Sequence, residues 1–272
     1  MEKITGYAKV NGTQLYYEIT GAGRPLILMH GFGSDRRAWD DVVQRLAPYY
    51  RVLCFDMRGF GRSDLPTDTQ SHYAEDLKAL MDHLGIEHAF IGGQSLGGLV
   101  TIRFALTYPD AIDALVLVDA GLEGFEWSKE FAAAFEAIYA TAKQEGLAAA
   151  RALAARHTLG GPARERPELN ERRKAIAADY SGWHWLNMTP YGHHDTSVAR
   201  RLSQITRPAL VLVGERDMPD FHRIADRLAQ ELPDARKVVL PGSGHSPHME
   251  TPAALCDAVL SFLQTCERTV KA

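Results

Sequence analysis

The sequence predicts an α/β fold: a doubly wound, mostly parallel sheet with helices on both faces and one helical insertion. Three observations lead there. Short continuous apolar runs recur along the 272-residue chain, as "PLILM", "VLCF", "HAFIGG", "ALVLVD" and "ALVLVG", and such runs suit parallel strands buried on both faces. Segments with apolar residues at helical spacing alternate with them. The alternation breaks once, over residues 121–203, where Ala-rich helical sequence replaces strands.

In chain order, "TQLYYEIT" alternates as an antiparallel strand, and "VNG" before it signals a hairpin turn. After "PLILM", the segment "DRRAWDDVVQRLA" puts Trp39, Val42, Val43 and Leu46 at helical spacing. "SHYAEDLKALMDHLGI" does the same with Leu77, Leu80, Met81 and Leu84, then stops at Gly85. "SLGGLVTIRFALTYPD" reads as a helix running from Ser95 to a stop at Pro109. The break contains "EFAAAFEAIYATAKQEGLAAARALAARHTLGG", "PELNERRKAIAADY" and "SGWHWLNMTPYGHHD". It is too apolar and aromatic for a disordered linker, so residues 121–203 are expected to form a helical cap on a core built from residues 1–120 and 204–272. Strand and helix resume with "RPALVLVGERD" and "KVVL", and "TPAALCDAVLSFLQT" opens a last helix with Thr251 as N-cap and Pro252 at its first position.

Composition narrows the function classes. With 46% hydrophobic and 24% charged residues the chain is an ordinary globular protein, long enough to bury a core without staples. The net charge of −4 is spread along the chain, with no basic stripe for nucleic acid and no acidic tail. Cys54, Cys256 and Cys266 form neither a disulfide framework nor a zinc spacing, and Cys54 reads as a buried thiol. The N-terminus lacks the basic-then-apolar order of a signal peptide, and the apolar runs are too short to span a bilayer. The expectation is a cytoplasmic protein, monomer or homodimer, that uses no cofactor and acts on a small molecule.

The chemistry centres on "FIGGQSLGGLV". Gly93-Gln94-Ser95-Leu96-Gly97 is a G-x-S-x-G pattern placed after an apolar run and before a helix. A sharp strand-to-helix turn lifts such a serine out at the carboxyl edge of a sheet, and glycines let strand and helix approach. An activated serine needs a base, and the base needs an orienting carboxylate, in the order Ser, acid, His. Asp217 follows the run "ALVLVG", and His245 lies in the Gly-rich "GSGHSPHME". "HGFG" ends an early strand, so the backbone N–H of Phe32, with that of Leu96, is a candidate oxyanion hole. Asp119, at the end of "ALVLVD", is a rival acid. His193, His194 and Asp195, or His245 with His248 and Glu250, hint at metal binding, but neither group has helical i, i+4 histidines with a third spaced ligand.

The motifs "HGFG", "FDMRGFGRSD", "GGQSLGG", "GERD" and "GSGHSPHMETP", in this order and over nearly the whole chain, resemble the α/β-hydrolase superfamily. The resemblance implies an eight-stranded, mostly parallel sheet with helices on both faces and a helical cap after the sixth strand. It marks Ser95 as nucleophile, His245 as base and then acid, Asp217 rather than Asp119 as the orienting acid, and Phe32 and Leu96 as oxyanion donors. It gives Gln94 no role, makes His30 and the Asp56–Arg58 loop structural, and leaves His248 at the pocket edge. Carboxylic ester or lactone hydrolysis is the implied reaction. C–C hydrolysis of ring-cleavage products stands as an alternative, although that group usually has tryptophan where this chain has Ser246. A ligand receptor built on the hydrolase fold is a third possibility. Substrate choice is expected to lie with cap residues, among them Phe125, Trp127, Phe131, Phe135, Met188 and Tyr191, with Trp183 or Trp185 lining the pocket.

Overall fold

The computed structural model describes residues 2–70, 72–156, 158–189 and 195–271. β1 (Lys3–Val10) and β2 (Thr13–Thr20) form an antiparallel hairpin. Asn11 and Gly12 turn it with φ of 45° and 70°, the two positive values a tight twisted hairpin requires. Then come β3 (Pro25–Met29), α1 (Asp40–Leu46), β4 (Arg51–Phe55), α2 (Tyr73–His83), β5 (Ala89–Gln94), α3 (Leu96–Thr107) and β6 (Ile112–Val118). Between β6 and the next strand lie α4 (Lys129–Gln144), α5 (Leu147–Arg156), α6 (Pro167–Ala178) and α7 (Trp183–Asn187), with no strand among the described residues. The chain closes with β7 (Ala209–Gly214), α8 (Pro219–Glu231), β8 (Ala235–Leu240), α9 (Pro247–Glu250) and α10 (Pro252–Lys271).

The eight strands make one sheet in the order β1-β2-β4-β3-β5-β6-β7-β8. β2 meets β4 antiparallel, and every pairing from β4 through β8 is parallel. Successive residues of a strand face opposite sides, which divides the apolar runs between two cores. Leu26 and Leu28 pack with Trp39, Val42 and Leu46 of the α1 side and with Leu255, Val259 and Leu263 of α10. Ile27 and Met29 pack on the other face with residues of α2, α3 and α8. β5 and β7 are buried along their whole length, as continuous apolar runs demand. β8, at the edge, keeps only Leu240 fully buried.

The carboxyl ends of β3, β5, β6 and β7 therefore share one edge of the sheet; α4, α5 and α7 pack into the same apolar cluster, while Ile176 of α6 packs with Ala38 and Met249. No described helix is long and apolar enough to cross a membrane. The three cysteines are free, Cys54 and Cys256 buried.

Candidate active site

β5 ends at Gln94 and α3 starts at Leu96, so Ser95 alone turns the chain, with φ 53° and ψ −109°. Such a value strains any residue with a Cβ. The strain is held from both sides: the Ser95 N–H donates to Val118 O at 3.0 Å, and its carbonyl accepts from Leu99 and Gly121, each at 3.0 Å. The flanking glycines answer to close approach. A Cβ on Gly93 would collide with the Gly97 backbone, and one on Gly97 with the Met29 carbonyl.

Asp217 lies in the loop between β7 and α8, and His245 in the loop between β8 and α9. His245 Nδ1 and Asp217 Oδ2 are 2.8 Å apart, with both side chains buried. Asp217 Oδ1 accepts the Met218 N–H at 2.7 Å. The carboxylate is acceptor-only, so Nδ1 carries the proton and Nε2 is left as the basic nitrogen. Three contacts hold the histidine and its loop. Gln94 Nε2 donates to the His245 carbonyl at 2.7 Å, Arg216 N–H donates to Ser243 O at 2.8 Å, and the Phe221 ring lies 4.1 Å from the imidazole, centroid to centroid. The sequence reading assigned nothing to Gln94 and did not single out Phe221.

Asp119 is a second buried acid of the site, at φ 41° just past β6. Its Oδ1 accepts the Gly214 N–H at 2.8 Å. As a carboxylate, its Oδ2 would be buried without a donor. Burial, with the Asp217 charge beside it, pushes the Asp119 carboxyl well above its ordinary value. Burial would raise Asp217 too, but the His245 charge and hydrogen bond, with a hydrogen bond from Asp119, hold it below the usual range. Asp119 is thus the protonated partner and donates to Asp217. One ligand atom from each of Asp119, Asp217 and His245 lies within 4.8 Å of the others, a set that in another state suits a cation. Here His245 Nδ1 and Asp217 Oδ2 are engaged with one another at 2.8 Å.

Ser95, His245, Gln94, Phe32, His248 and Arg173 are among the residues lining a cavity of about 180 Å³. An adjoining cavity of about 210 Å³ shares Phe32, Phe135 and Arg173 with it and extends under α5 to α7. The N–H groups of Phe32 and Leu96 meet no acceptor among the described residues. The Phe32 ring is fixed by Phe60, Tyr180 and His184 at 5.6, 5.6 and 5.5 Å. His248 stacks on Trp39 at 4.6 Å, and burial, with the neighbouring cations, pushes it down to about 3, so it is neutral.

Of the two tryptophans expected at the pocket, Trp185 lines the adjoining cavity and Trp183 lines neither. Two residues apart on a helix they point to nearly opposite sides, and Trp183 packs instead on His184 at 5.3 Å. Phe125, Trp127, Phe131 and Phe135 form a ladder of ring contacts, of which Phe135 reaches the cavities. Tyr191, His193 and His194 lie outside the described residues, and the Asp195 carboxylate caps its own turn at the Ser197 N–H. His30 is buried, accepting the Met57 N–H at 3.1 Å and donating to Gly31 O at 2.8 Å. Asp56 accepts the N–H of Arg36 and of Arg62, each at 2.9 Å, and Arg58 makes a two-point ion pair with Asp76. These residues brace the loops around Phe32.

A family model described as the alpha/beta hydrolase fold matches residues 24–252. The chain is similar to the enol-lactonase of Burkholderia xenovorans LB400, at 27% identity and TM-score 0.83 over 95% of this chain and 100% of that one. It is similar to a thermophilic esterase from Thermogutta terrifontis, at 27% identity and TM-score 0.82 over 97% and 99%. Among curated relatives, the pimeloyl-acyl-carrier-protein methyl ester esterase of Pectobacterium atrosepticum is 28% identical over 92% of this chain and 98% of its own.

Proposed function

The chain belongs to the alpha/beta hydrolase fold family, and from that premise we propose that it is a serine hydrolase cleaving a carboxylic ester or lactone of a small substrate through an acyl-enzyme on Ser95. The observation that carries the reading is the 2.8 Å Asp217–His245 hydrogen bond beside a cavity that Ser95 and His245 line together. The esterase and enol-lactonase character of similar proteins supports the same class.

In this reading His245 Nε2 removes the Ser95 proton as Oγ attacks the ester carbonyl, while Asp217 steadies the imidazolium through Nδ1–H. Negative charge develops on the former carbonyl oxygen, to which the Phe32 and Leu96 N–H groups donate at the positive end of α3. Collapse expels the alcohol, protonated by His245. Water enters, His245 takes its proton, and the same cycle releases the acid.

Turnover of short p-nitrophenyl esters, with labelling by a serine-directed phosphonate, tests this. One adduct on Ser95 is expected, with turnover unchanged by a chelator and Ser95→Ala lower by about 10⁴-fold or more. A Ser95→Ala variant that keeps its rate, or a chelator-sensitive rate, overturns the mechanism.

A further inference from the structure

The cavity beyond Ser95 carries a charge that ester hydrolysis itself does not need. Arg173 of α6 lines both the serine cavity and the adjoining one, Arg151 and Lys174 line the second, and no aspartate or glutamate among the described residues lines either. The three cations are in different states. Lys174 is exposed at the rim and paired with Glu171 at 2.8 Å. Arg151 donates Nη2 to the Tyr180 carbonyl at 2.6 Å, while its Nε is buried with no partner among the described residues. Burial pulls the Arg173 guanidinium below its usual value, against the opposing pull of Glu250.

The buried Arg151 Nε–H, with no acceptor among the described residues, is costly to leave so. A guanidinium offers a donor fork that matches a carboxylate. Beside these groups the adjoining cavity has an apolar wall that includes Phe135, Ile138, Tyr180 and Trp185, and Phe135 also lines the serine cavity. A pocket with an apolar wall and a few convergent cations suits a short hydrocarbon chain that ends in an anion.

Resting on the serine-hydrolase reading above, we propose that this cavity is a carboxylate subsite. Its preferred substrates are esters whose acyl chain ends in a free carboxylate, that is, monoesters of short dicarboxylic acids. Arg173 and Arg151 hold the carboxylate while the ester carbonyl lies at Ser95.

The test compares kcat/KM, followed by pH-stat, for the monoethyl esters of succinic, glutaric, adipic and pimelic acids with ethyl esters of unbranched monocarboxylic acids of matching length. The best monoester is expected to exceed its neutral counterpart by about tenfold or more, the effect of one charged hydrogen bond. That ratio falls toward one in Arg173→Gln, in Arg151→Gln and at high ionic strength, and Arg173→Lys keeps part of it. The ionic-strength series on the unaltered protein reads the subsite even where a variant fails to fold.

The two readings fail separately. Neutral esters turned over with Ser95 labelled, but no preference for the monoesters, overturn the subsite and leave the hydrolase reading standing. If neither ester set is hydrolysed, calorimetric titration of Ser95→Ala with glutarate decides. Saturable binding that weakens about tenfold in the Ser95→Ala, Arg173→Gln double variant supports the subsite, and no binding overturns it. Propyl phosphate, titrated in parallel, distinguishes the anion: tighter binding than glutarate overturns the carboxylate assignment.

Discussion

At the scale of single residues, the proton between Asp119 and Asp217 organises the electrostatics of the site. Two buried carboxyls this close to one another cannot both ionise, and only Asp217 has the imidazole to favour its charge. Asparagine at 119 can keep both of that residue's hydrogen bonds, accepting from Gly214 and donating to Asp217. Asp119→Asn is therefore expected to retain turnover within a few-fold, whereas Asp217→Asn is expected to lose about 10⁴-fold through the wrong imidazole tautomer. Steady-state kinetics with a p-nitrophenyl ester, on variants whose circular dichroism is unchanged, makes the comparison. A larger loss from Asp119→Asn than from Asp217→Asn would reverse the two roles. Reading "ALVLVD" alone, Asp119 can be recognised as an acid at the right sheet edge. Its protonation cannot be read there, because it depends on a second carboxyl from the loop after β7, 98 residues further along the chain by their numbers.

At the scale of elements, α7 shows what ties the helical segment to the sheet. His184 is buried, stacks on Phe60 at 4.6 Å, and shares hydrogen bonds with the hydroxyls of Tyr73 at 2.9 Å and Tyr180 at 3.0 Å. Burial pushes it down to about 4, whereas an unfolded histidine titrates near ~6.5. Between those values the unfolded chain holds the extra proton. The stability tied to neutral His184 is therefore complete above about 6.5 and falls as pH drops toward 4, by about 3 kcal/mol for the full shift. His184→Gln removes the titration while keeping a polar side chain in reach of both hydroxyls. Urea unfolding at pH 7.5 and 4.5 should show a smaller acid-side loss in the variant, by about 2 kcal/mol; equal losses would mean His184 is not held neutral. Elements of this kind divide by legibility. The strands and the stops at Gly85 and Pro109 follow from local pattern, and so does the strained mount of Ser95. The anchors Gln94, Phe221 and His184 do not, because their partners come from distant loops: Gln94 meets the His245 carbonyl 151 residues away, and Tyr73 lies 111 residues from His184. The start of the first helical segment differs for a local reason. Asp35 accepts the Arg37 N–H at 2.9 Å and tightens Arg36–Trp39 into a 3-10 turn before α1 begins.

For the whole molecule, the question is whether residues 121–203 unfold with the sheet or by themselves. Ion pairs fasten the rim, Arg37 to Asp179 at 2.6 Å, Arg172 to Asp41 at 2.5 Å and Arg216 to Glu165 at 2.6 Å. Exposed pairs of this kind contribute only about 0–1 kcal/mol each. The larger link is apolar. Phe131, Ile138, Tyr139, Tyr180 and Trp185 belong to the same buried cluster as Met29, Ile91 and Leu117 of the sheet. A shared core gives the helices little stability without the strands beneath them, so both should melt in one cooperative step. The tryptophans make this measurable: Trp127, Trp183 and Trp185 fall within residues 121–203, and only Trp39 lies outside. Denaturation followed by tryptophan fluorescence should coincide with denaturation followed by far-ultraviolet circular dichroism. Trp185→Ala should move both curves together, since it removes about 3–5 kcal/mol from the shared cluster. A fluorescence transition that precedes the loss of secondary structure would make the helical segment a separate folding unit, able to open over Ser95 without disturbing the sheet.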